Sequence, residues 1–226
     1  MQLKLFEYQQ RALRYSELEP YIGESWYYSL SNRSLQIAFE MFEKFWNIDE
    51  VICPRFQDIF RPFRETPFDT VRAVIIGQDP YPNDNAIGLC FGTNYEYTAS
   101  LRQIFNCVRR TFALSPTYKS PIADIQLLYL AKQGVLLLNS CLTVRYGYIG
   151  SHLDYGWDRF IASVITDLQQ HNQIGWMLWG GQAQTFEKYV KNPYHIVLKS
   201  EHPAKAAREN RVWNHNHFSI IHQQFN

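Results

Sequence analysis

The sequence is poor in cysteine, and its cysteines lie far apart. Four occur in 226 residues, and no two of them form a Cys-x-x-Cys pair. Because zinc sites and iron–sulfur clusters are built from closely spaced cysteines, this spacing argues against both kinds of site. It also suits a reducing compartment. The four are Cys53, Cys90, Cys107 and Cys141.

An excess of charge of either sign is also missing. The 22 lysine and arginine side chains face 21 acidic ones, which leaves a net charge of +1. Dedicated nucleic-acid binders often carry a basic field, and this composition does not provide one. A small footprint on a few phosphates stays open, since main-chain amides and hydroxyls also make such contacts.

Long apolar runs are absent as well. No stretch approaches the roughly 20 apolar residues that a bilayer-spanning helix needs. Met1–Tyr8 is mixed polar and aromatic, without the apolar core of a secretory signal. We therefore expect a soluble, intracellular protein that does not contact membranes, located in a bacterial cytoplasm or in a nucleus.

Aromatic side chains, by contrast, are abundant, with 15 Tyr, 15 Phe and 6 Trp. Flat rings can stack on nucleic-acid bases, but filling a core is the commoner role for most of them. With 46% apolar and 19% charged residues the composition is globular. The length fits one domain, and no repeat or linker divides the chain.

Short apolar runs alternate with helical patterns along the chain. The runs Ala73–Ile76, Val135–Leu138, Ile174–Leu178 and His195–Leu198 predict four buried strands. Periodic apolar positions predict helices at Ser34–Trp46, after a capping Ser100, and at Trp157–Leu168, Ala183–Tyr189 and Asn216–Gln224. The order is typical of an α/β fold, a single domain with a central four-stranded, mostly parallel sheet flanked by helices.

Polar residues follow each predicted strand. Gln78–Tyr81 follows the first strand, Asn139 the second, Trp179–Gly181 the third and His202-Pro203 the fourth. Ligands of parallel sheets bind outside the carboxyl ends of the strands. The sequence therefore predicts a site at this edge of the sheet.

Three of these residues carry a distinct chemistry. Asp79 can orient a water or stabilise a positive centre. The amide of Asn139 offers a donor and an acceptor in one plane, which matches the edge of a base. His202 can donate to an oxygen that gains negative charge. Taken singly, each is more often a loop cap, so only the combination predicts a site.

Several motifs resemble family 1 uracil-DNA glycosylases. Gly77–Tyr81 (GQDPY) resembles the family's water-activating motif, and Gly88–Phe91 the segment with its base-stacking Phe. Gly134–Val144 is similar to the uracil-reading strand, and Ser151-His152 and His202-Pro203 follow in the family's order. The resemblance covers nearly the whole chain.

This resemblance implies a variable N-terminal arm over residues 1–23 and a uracil-DNA glycosylase domain over residues 24–226. It implies a monofunctional DNA N-glycosylase that flips uracil out of DNA and hydrolyses its N-glycosidic bond. The products are free uracil and an abasic site, as in base-excision repair. No metal and no cofactor are implied, because uracil is a good leaving group.

Catalytic roles are implied for two residues. Asp79 would position the attacking water and stabilise the oxocarbenium-like sugar. His202 would bind uracil O2 and stabilise the departing anion. The residues implied to bind uracil are Gln78 through its main chain, Tyr81 as a wall against a thymine methyl, Phe91 by stacking, and Asn139 by pairing with O4 and N3–H. Those implied to contact DNA are Ser100, His152, Pro203, Ala204, Lys205, Ala206 and Arg208.

The sequence departs from the family at three places. Pro82 stands where the family has a His that helps to hold the water, as in a poxvirus branch whose member is also a polymerase processivity subunit. We expect this change to slow catalysis without abolishing it. Tyr97–Ala99 replaces a Pro-rich loop. Counting from His202 without a gap puts Ala206 where the family has a Leu wedge.

The missing wedge leaves two interpretations open. In one, Lys205 or Arg208 substitutes by pairing with phosphate or by entering the groove. In the other, the enzyme prefers single-stranded DNA, where less unstacking is needed. Expected partners are uracil-containing DNA, single- or double-stranded, and a protein inhibitor or replication factor, with the protein itself a monomer.

Two further alternatives concern function. A DNA- or polymerase-binding accessory subunit with weak or lost catalysis is supported by Pro82 and Ala206. A glycosylase with another base specificity is disfavoured by Tyr81 and Asn139. A generic α/β hydrolase is disfavoured too, because the sequence has neither a Gly-x-Ser-x-Gly elbow nor a P-loop.

Overall fold

The computed structural model of the protein describes residues 15–112 and 124–225. The helices in these ranges are α1 Glu19–Ile22, α2 Glu24–Ser29, α3 Asn32–Trp46, α4 Arg61–Glu65, α5 Ala99–Phe112, α6 Leu128–Ala131, α7 Trp157–Asp167, α8 Gly181–Gln184, α9 Pro203–Arg208 and α10 His217–Phe225. The strands are β1 Ile52–Cys53, β2 Ala73–Gly77, β3 Val135–Asn139, β4 Val144–Arg145, β5 Gly175–Trp179 and β6 Ile196–Ser200.

The central sheet has four strands in the order β3-β2-β5-β6, and every neighbouring pair is parallel. The predicted α/β fold and its four strands are thus confirmed. Parallel pairing brings all four carboxyl ends to one edge, where Gly77 lies opposite Asn139 and Trp179 opposite Ser200. Outside this sheet, β1 and β4 form a short antiparallel pair.

Both faces of the sheet are covered, which explains why its strands read as continuous apolar runs rather than alternating ones. Val74 and Ile76 pack into one cluster, with residues of α3 and α7. Ala73 and Ile75 point the other way, into a cluster with residues of α5 and α10. The helices therefore clamp the strands and fix the position of the sheet edge.

The start of α5 differs from the prediction. The helix begins at Ala99, and the hydroxyl of Thr98 accepts from the backbone N–H of Leu101 at 3.3 Å. A capping side chain bonds the amide two or three residues along, so Thr98 is the N-cap. The predicted cap, Ser100, lies in the first turn instead, with its hydroxyl unused by the cap.

Two other observations bear on the chain's organisation. Leu18 and Ile22 are fully buried in the same core cluster as α3, which attaches the described end of the predicted arm to the domain. Whether that arm varies between relatives stays a prediction. The helical segments in the described ranges include none with the length and apolar content to cross a bilayer.

Candidate active site

A cavity of about 440 Å³ opens at the carboxyl edge of the sheet. Asp79, Phe91, Asn139 and His202 all line it, although they come from four separate segments. Of the other residues predicted for the site, the cavity is also lined by Gln78, Tyr81, Ser100, Ala204 and Arg208. The parallel register explains this convergence, because each segment leaves the sheet at the same edge.

The carboxylate of Asp79 is held by two donors. The backbone N–H of Gly150 donates to its Oδ2 at 2.7 Å, and the amide of Gln78 donates to its Oδ1 at 3.3 Å. Burial raises the pKa of Asp79, while these two hydrogen bonds oppose the rise because they favour the ionised form. Asp79 therefore presents a carboxylate with a fixed aim.

The hydrogen bonding of His202 defines its tautomer. His202 is the N-cap of α9, and its Nδ1 accepts from the backbone N–H of Ala204 at 3.1 Å. Burial, and then the nearby charge of Arg208, lower the pKa of His202, so the ring is neutral at pH 7. With Nδ1 accepting, the single ring proton lies on Nε2. His202 thus offers the cavity one neutral N–H donor.

The amide of Asn139 is almost fully enclosed yet lacks a protein partner. Its residue is 4% exposed, and its side chain forms no hydrogen bond within residues 15–112 and 124–225. It lies against Gly77, where an added Cβ would sit 2.4 Å from Oδ1. Because buried polar groups are normally paired, an unspent amide that lines a cavity indicates a ligand.

Phe91 supplies a flat apolar face to the same cavity. Its ring centroid lies 5.6 Å from that of Trp179 and 5.5 Å from that of His202. Its backbone has a φ of 63°, a left-handed conformation that costs energy for a residue other than glycine. Such strain clusters at functional sites, where surrounding structure maintains it.

Tyr81 forms a fixed part of the wall. Its hydroxyl is 3.0 Å from that of Thr98, the same group that caps α5. Burial is the main cause of a raised pKa for Tyr81, so the phenol is neutral. The ring is therefore tied to a helix end rather than free to move aside.

The structure places His152, which was predicted to contact DNA, in the interior and outside the cavity lining. This residue is 1% exposed, and its ring nitrogens lie 3.0 Å from Thr143 Oγ1 and 3.0 Å from Glu50 Oε1. The indole N–H of Trp157 donates to the same Thr143 oxygen at 2.7 Å. Burial lowers the pKa of His152, so the neutral ring donates to Glu50 and accepts from Thr143. His152 is part of a buried network.

The loop after His202 also requires a correction. Ala206 is fully buried in the cluster that contains α5, and Pro203 is buried at the first turn of α9. Residues three apart share a helix face, so both point inward. Both side chains face the core rather than solvent, and the DNA contacts predicted for them stay predictions. Lys205 and Arg208 are exposed, and only Arg208 of the two lines the cavity.

Two contributors to the site were missed in the sequence. Gly150 acts through its backbone N–H, and such a contact leaves no signal in residue type. Trp179 was noted only as a residue after a strand, but its indole donates to Nδ1 of the buried His217 at 3.0 Å. That bond fixes the ring against which Phe91 packs. A Trp at a strand end and a His at a helix start are too common to be diagnostic alone.

The described residues contain no cluster of three or more His, Cys, Asp or Glu side chains suited to a metal ion. They do contain three features around one cavity: the amide of Asn139 without a protein partner, the ring face of Phe91 and the fixed carboxylate of Asp79. Together with the parallel sheet, this geometry defines an α/β protein with a ligand-binding cavity at the carboxyl edge of its sheet.

Comparisons with known proteins narrow that class. The model of the Uracil DNA glycosylase superfamily matches residues 63–226. The uracil-DNA glycosylase of Oceanobacillus iheyensis is 40% identical over 180 residues, covering 77% of this chain and 76% of that protein. The enzyme of that name from Neisseria meningitidis serogroup C is 39% identical over 181 residues, covering 75% and 78%. This chain belongs to the uracil-DNA glycosylase superfamily.

Solved structures show the same fold at lower identity. A mutant UNG from Nitratifractor salsuginis matches with a TM-score of 0.68 at 20% identity, covering 97% of both chains. Mimivirus uracil-DNA glycosylase matches with a TM-score of 0.61 at 24% identity, covering 76% of this chain and 62% of that one. This chain therefore spans less than two thirds of the mimivirus protein.

Proposed function

We propose that the protein hydrolyses the N-glycosidic bond of uracil in DNA, releases free uracil and leaves an abasic site for base-excision repair. The observation that carries this proposal is the convergence of Asp79, Phe91, Asn139 and His202 on one cavity. Close relatives in sequence bear the name of this activity.

Base recognition follows from the unspent amide of Asn139. Its nitrogen donates to uracil O4 and its oxygen accepts from N3–H, while Phe91 stacks on the ring. Cytosine presents the reverse pattern at this edge, which leaves buried groups unpaired at a cost of roughly 1–3 kcal/mol each. Thymine differs by one methyl group, and the anchored ring of Tyr81 occupies the place that this methyl needs.

Bond cleavage divides between two groups. As the N-glycosidic bond breaks, negative charge develops on uracil, and the Nε2–H of His202 donates to O2. A neutral imidazole suits this task, because it can donate the hydrogen bond to the anion without being protonated first. On the sugar side, Asp79 stabilises the oxocarbenium-like centre and orients the attacking water. Pro82 lacks a side-chain group to share that water, so we expect slower turnover than with His.

The test uses the purified protein with EDTA present. Matched oligonucleotides, single- and double-stranded, carry U, T or C at one position, and abasic sites are scored by alkaline cleavage. We expect cleavage at U alone, lost in Asp79→Asn and kept in Asp84→Asn, a nearby carboxylate outside the cavity. Absence of cleavage at U, or equal cleavage at C, contradicts the proposal.

The alternative of an accessory subunit without catalysis is weaker. Ala206 no longer supports it, because a buried alanine reports on helix packing rather than on a lost wedge. Pro82 remains its one support. An enclosed, unspent Asn139 amide has no purpose in a purely structural module, and it favours the catalytic function.

Partners and setting are part of the proposal. We infer that the protein acts as a monomer inside the cell, where DNA lies, and that light scattering gives the mass of one chain. A mimivirus UNG variant has been solved in complex with UGI, with a TM-score of 0.61 to this chain. A protein inhibitor or replication factor that covers the cavity mouth is a corresponding partner here, detected as loss of uracil release.

A further inference from the structure

The loop Arg145–Ser151, here the rim loop, places a large apolar side chain at the mouth of the cavity. Ile149 lines the cavity, yet the residue is 74% exposed. Beside it, Tyr148 is 59% exposed. Solvent-exposed apolar side chains beside a binding cavity can contact the ligand that enters it.

The rim loop is anchored by its backbone. The N–H of Tyr146 donates to Val51 O at 2.8 Å, and the N–H of Gly147 donates to Pro82 O at 2.7 Å. The guanidinium of Arg145 lies 4.7 Å from the ring centre of Tyr148 and holds that ring from one side. The exposed side chains are thus presented by a preorganised backbone, which lowers the entropy cost of binding.

The same loop is joined directly to the catalytic carboxylate. Gly150, the residue after Ile149, donates its backbone N–H to Asp79 Oδ2 at 2.7 Å. Since Asp79 must face the sugar of the flipped nucleotide, Ile149 is held at a fixed offset from that sugar. Ile149 is therefore an exposed apolar side chain at the cavity mouth, one residue from the group that bonds Asp79.

Base extrusion requires something to occupy the vacated stack. Apolar wedges such as Ile, Leu or Phe between bases are a common solution in proteins that distort DNA. Ala206 is buried and cannot serve. A net charge of +1 also leaves little phosphate attraction to offset the cost of unstacking.

We propose that Ile149 enters the base stack beside the flipped uracil and that Tyr148 stacks on the adjacent base. The proposed ligand is the DNA duplex around the uracil, so this inference rests on the proposed function. It assigns strand opening to the rim loop and leaves base reading to the cavity.

The experiment compares Ile149→Ala with Tyr194→Ala. Tyr194 is 73% exposed and precedes β6, so it lies at the opposite end of the sheet from the cavity. Single-turnover rates are measured on a U·A duplex and on the same strand alone. Because loss of a wedge leaves the unstacking cost unopposed, we expect Ile149→Ala to slow the duplex reaction about ten-fold and the single-strand reaction much less.

Three controls separate this role from a merely structural one. Ile149→Leu restores the duplex rate, Tyr194→Ala keeps it, and Ile149→Ala still binds free uracil as the wild type does. A 2-aminopurine next to the uracil reports unstacking by its fluorescence. We expect this fluorescence to rise when the wild type binds and to stay low with Ile149→Ala, because unstacking depends on the wedge.

The outcomes also separate the two proposals. If the wild type releases no uracil from either substrate, the proposed function fails. If the wild type is active and Ile149→Ala slows both substrates equally, or neither, Ile149 is not a wedge. Loss of free-uracil binding in Ile149→Ala makes the residue a cavity wall and overturns the inference as well.

Discussion

The regions around His152 and His202 show how similar residues are put to different use. In both, a neutral imidazole is held by hydrogen bonds and burial lowers its pKa. Both ring nitrogens of His152 form hydrogen bonds, one with Thr143 and one with Glu50. His202 uses only Nδ1, which accepts from the N–H of Ala204, and the residue lines the cavity. Between these two histidines, the one with a nitrogen that has no protein partner is the one that lines the cavity.

The same contrast separates two amides. Asn192 uses its Nδ2 on the carbonyls of Gln169 and His171, and its Oδ1 on the N–H of Tyr194. Neither Oδ1 nor Nδ2 of Asn139 forms a hydrogen bond within the described part of the chain. The first amide fastens a loop, and the second is available to a base.

Among changes that test this comparison, the largest effect is expected from His202→Ser. Serine keeps an oxygen to cap α9 but removes the Nε2–H that we propose donates to the leaving group. Loss of one donor to a developing anion costs roughly 10²–10³-fold in kcat, which single-turnover uracil release measures. An unchanged rate with an intact melting curve would break the contrast with His152.

His152→Ala should do the reverse. Removal of the ring takes one hydrogen bond from Thr143 and one from Glu50, and loss of a buried partner costs about 1–3 kcal/mol. We expect a lower denaturation midpoint in urea, with uracil release per folded molecule unchanged. A variant of normal stability that excises poorly would return His152 to the DNA-contacting residues.

A fall in pH should reveal how a buried, hydrogen-bonded histidine such as His217 contributes to stability. Burial lowers the pKa of His217 to about 4, against about 6.5 unfolded. Between these values the unfolded chain binds more protons, so stability is present above pH 6.5 and is lost as pH falls toward 4. Tm measured across this window should fall, and less steeply in His217→Gln. Equal slopes would show that the titration of His217 does not govern this loss of stability.

The smallest effect separates Thr98 from Ser100. Thr98 caps α5 and bonds Tyr81, so Thr98→Ala should lower the free energy of unfolding by about 1 kcal/mol. Ser100→Ala should leave stability unchanged and weaken binding to uracil-containing DNA. Destabilisation by Ser100→Ala alone would show that the cap was assigned to the wrong residue.

Much of the sheet could be predicted from the sequence. Val135–Asn139 and Ala73–Gly77 are short aliphatic runs with polar residues after them, and burial on both faces demands that pattern. The strand ends then located Asp79 and Asn139, because parallel strands share one edge.

Contacts made by backbone groups were beyond that reasoning. Nothing in the residue type of Gly150 reveals that its N–H bonds Asp79, a contact spanning 71 positions. Likewise, a count along the chain placed Ala206 at the wedge position, whereas α9 rotates it into the core. Helical geometry decides which side chains after His202 are buried and which are exposed, and sequence order alone does not.

The account rests on an unspent amide that reads one pyrimidine. The most direct measurement follows the side-chain N–H signals of Asn139 by ¹⁵N NMR while free uracil, thymine or cytosine is added. We predict that uracil shifts these signals in a saturable way and that thymine and cytosine leave them in place. Signals that ignore uracil, or that respond equally to thymine, would contradict the account.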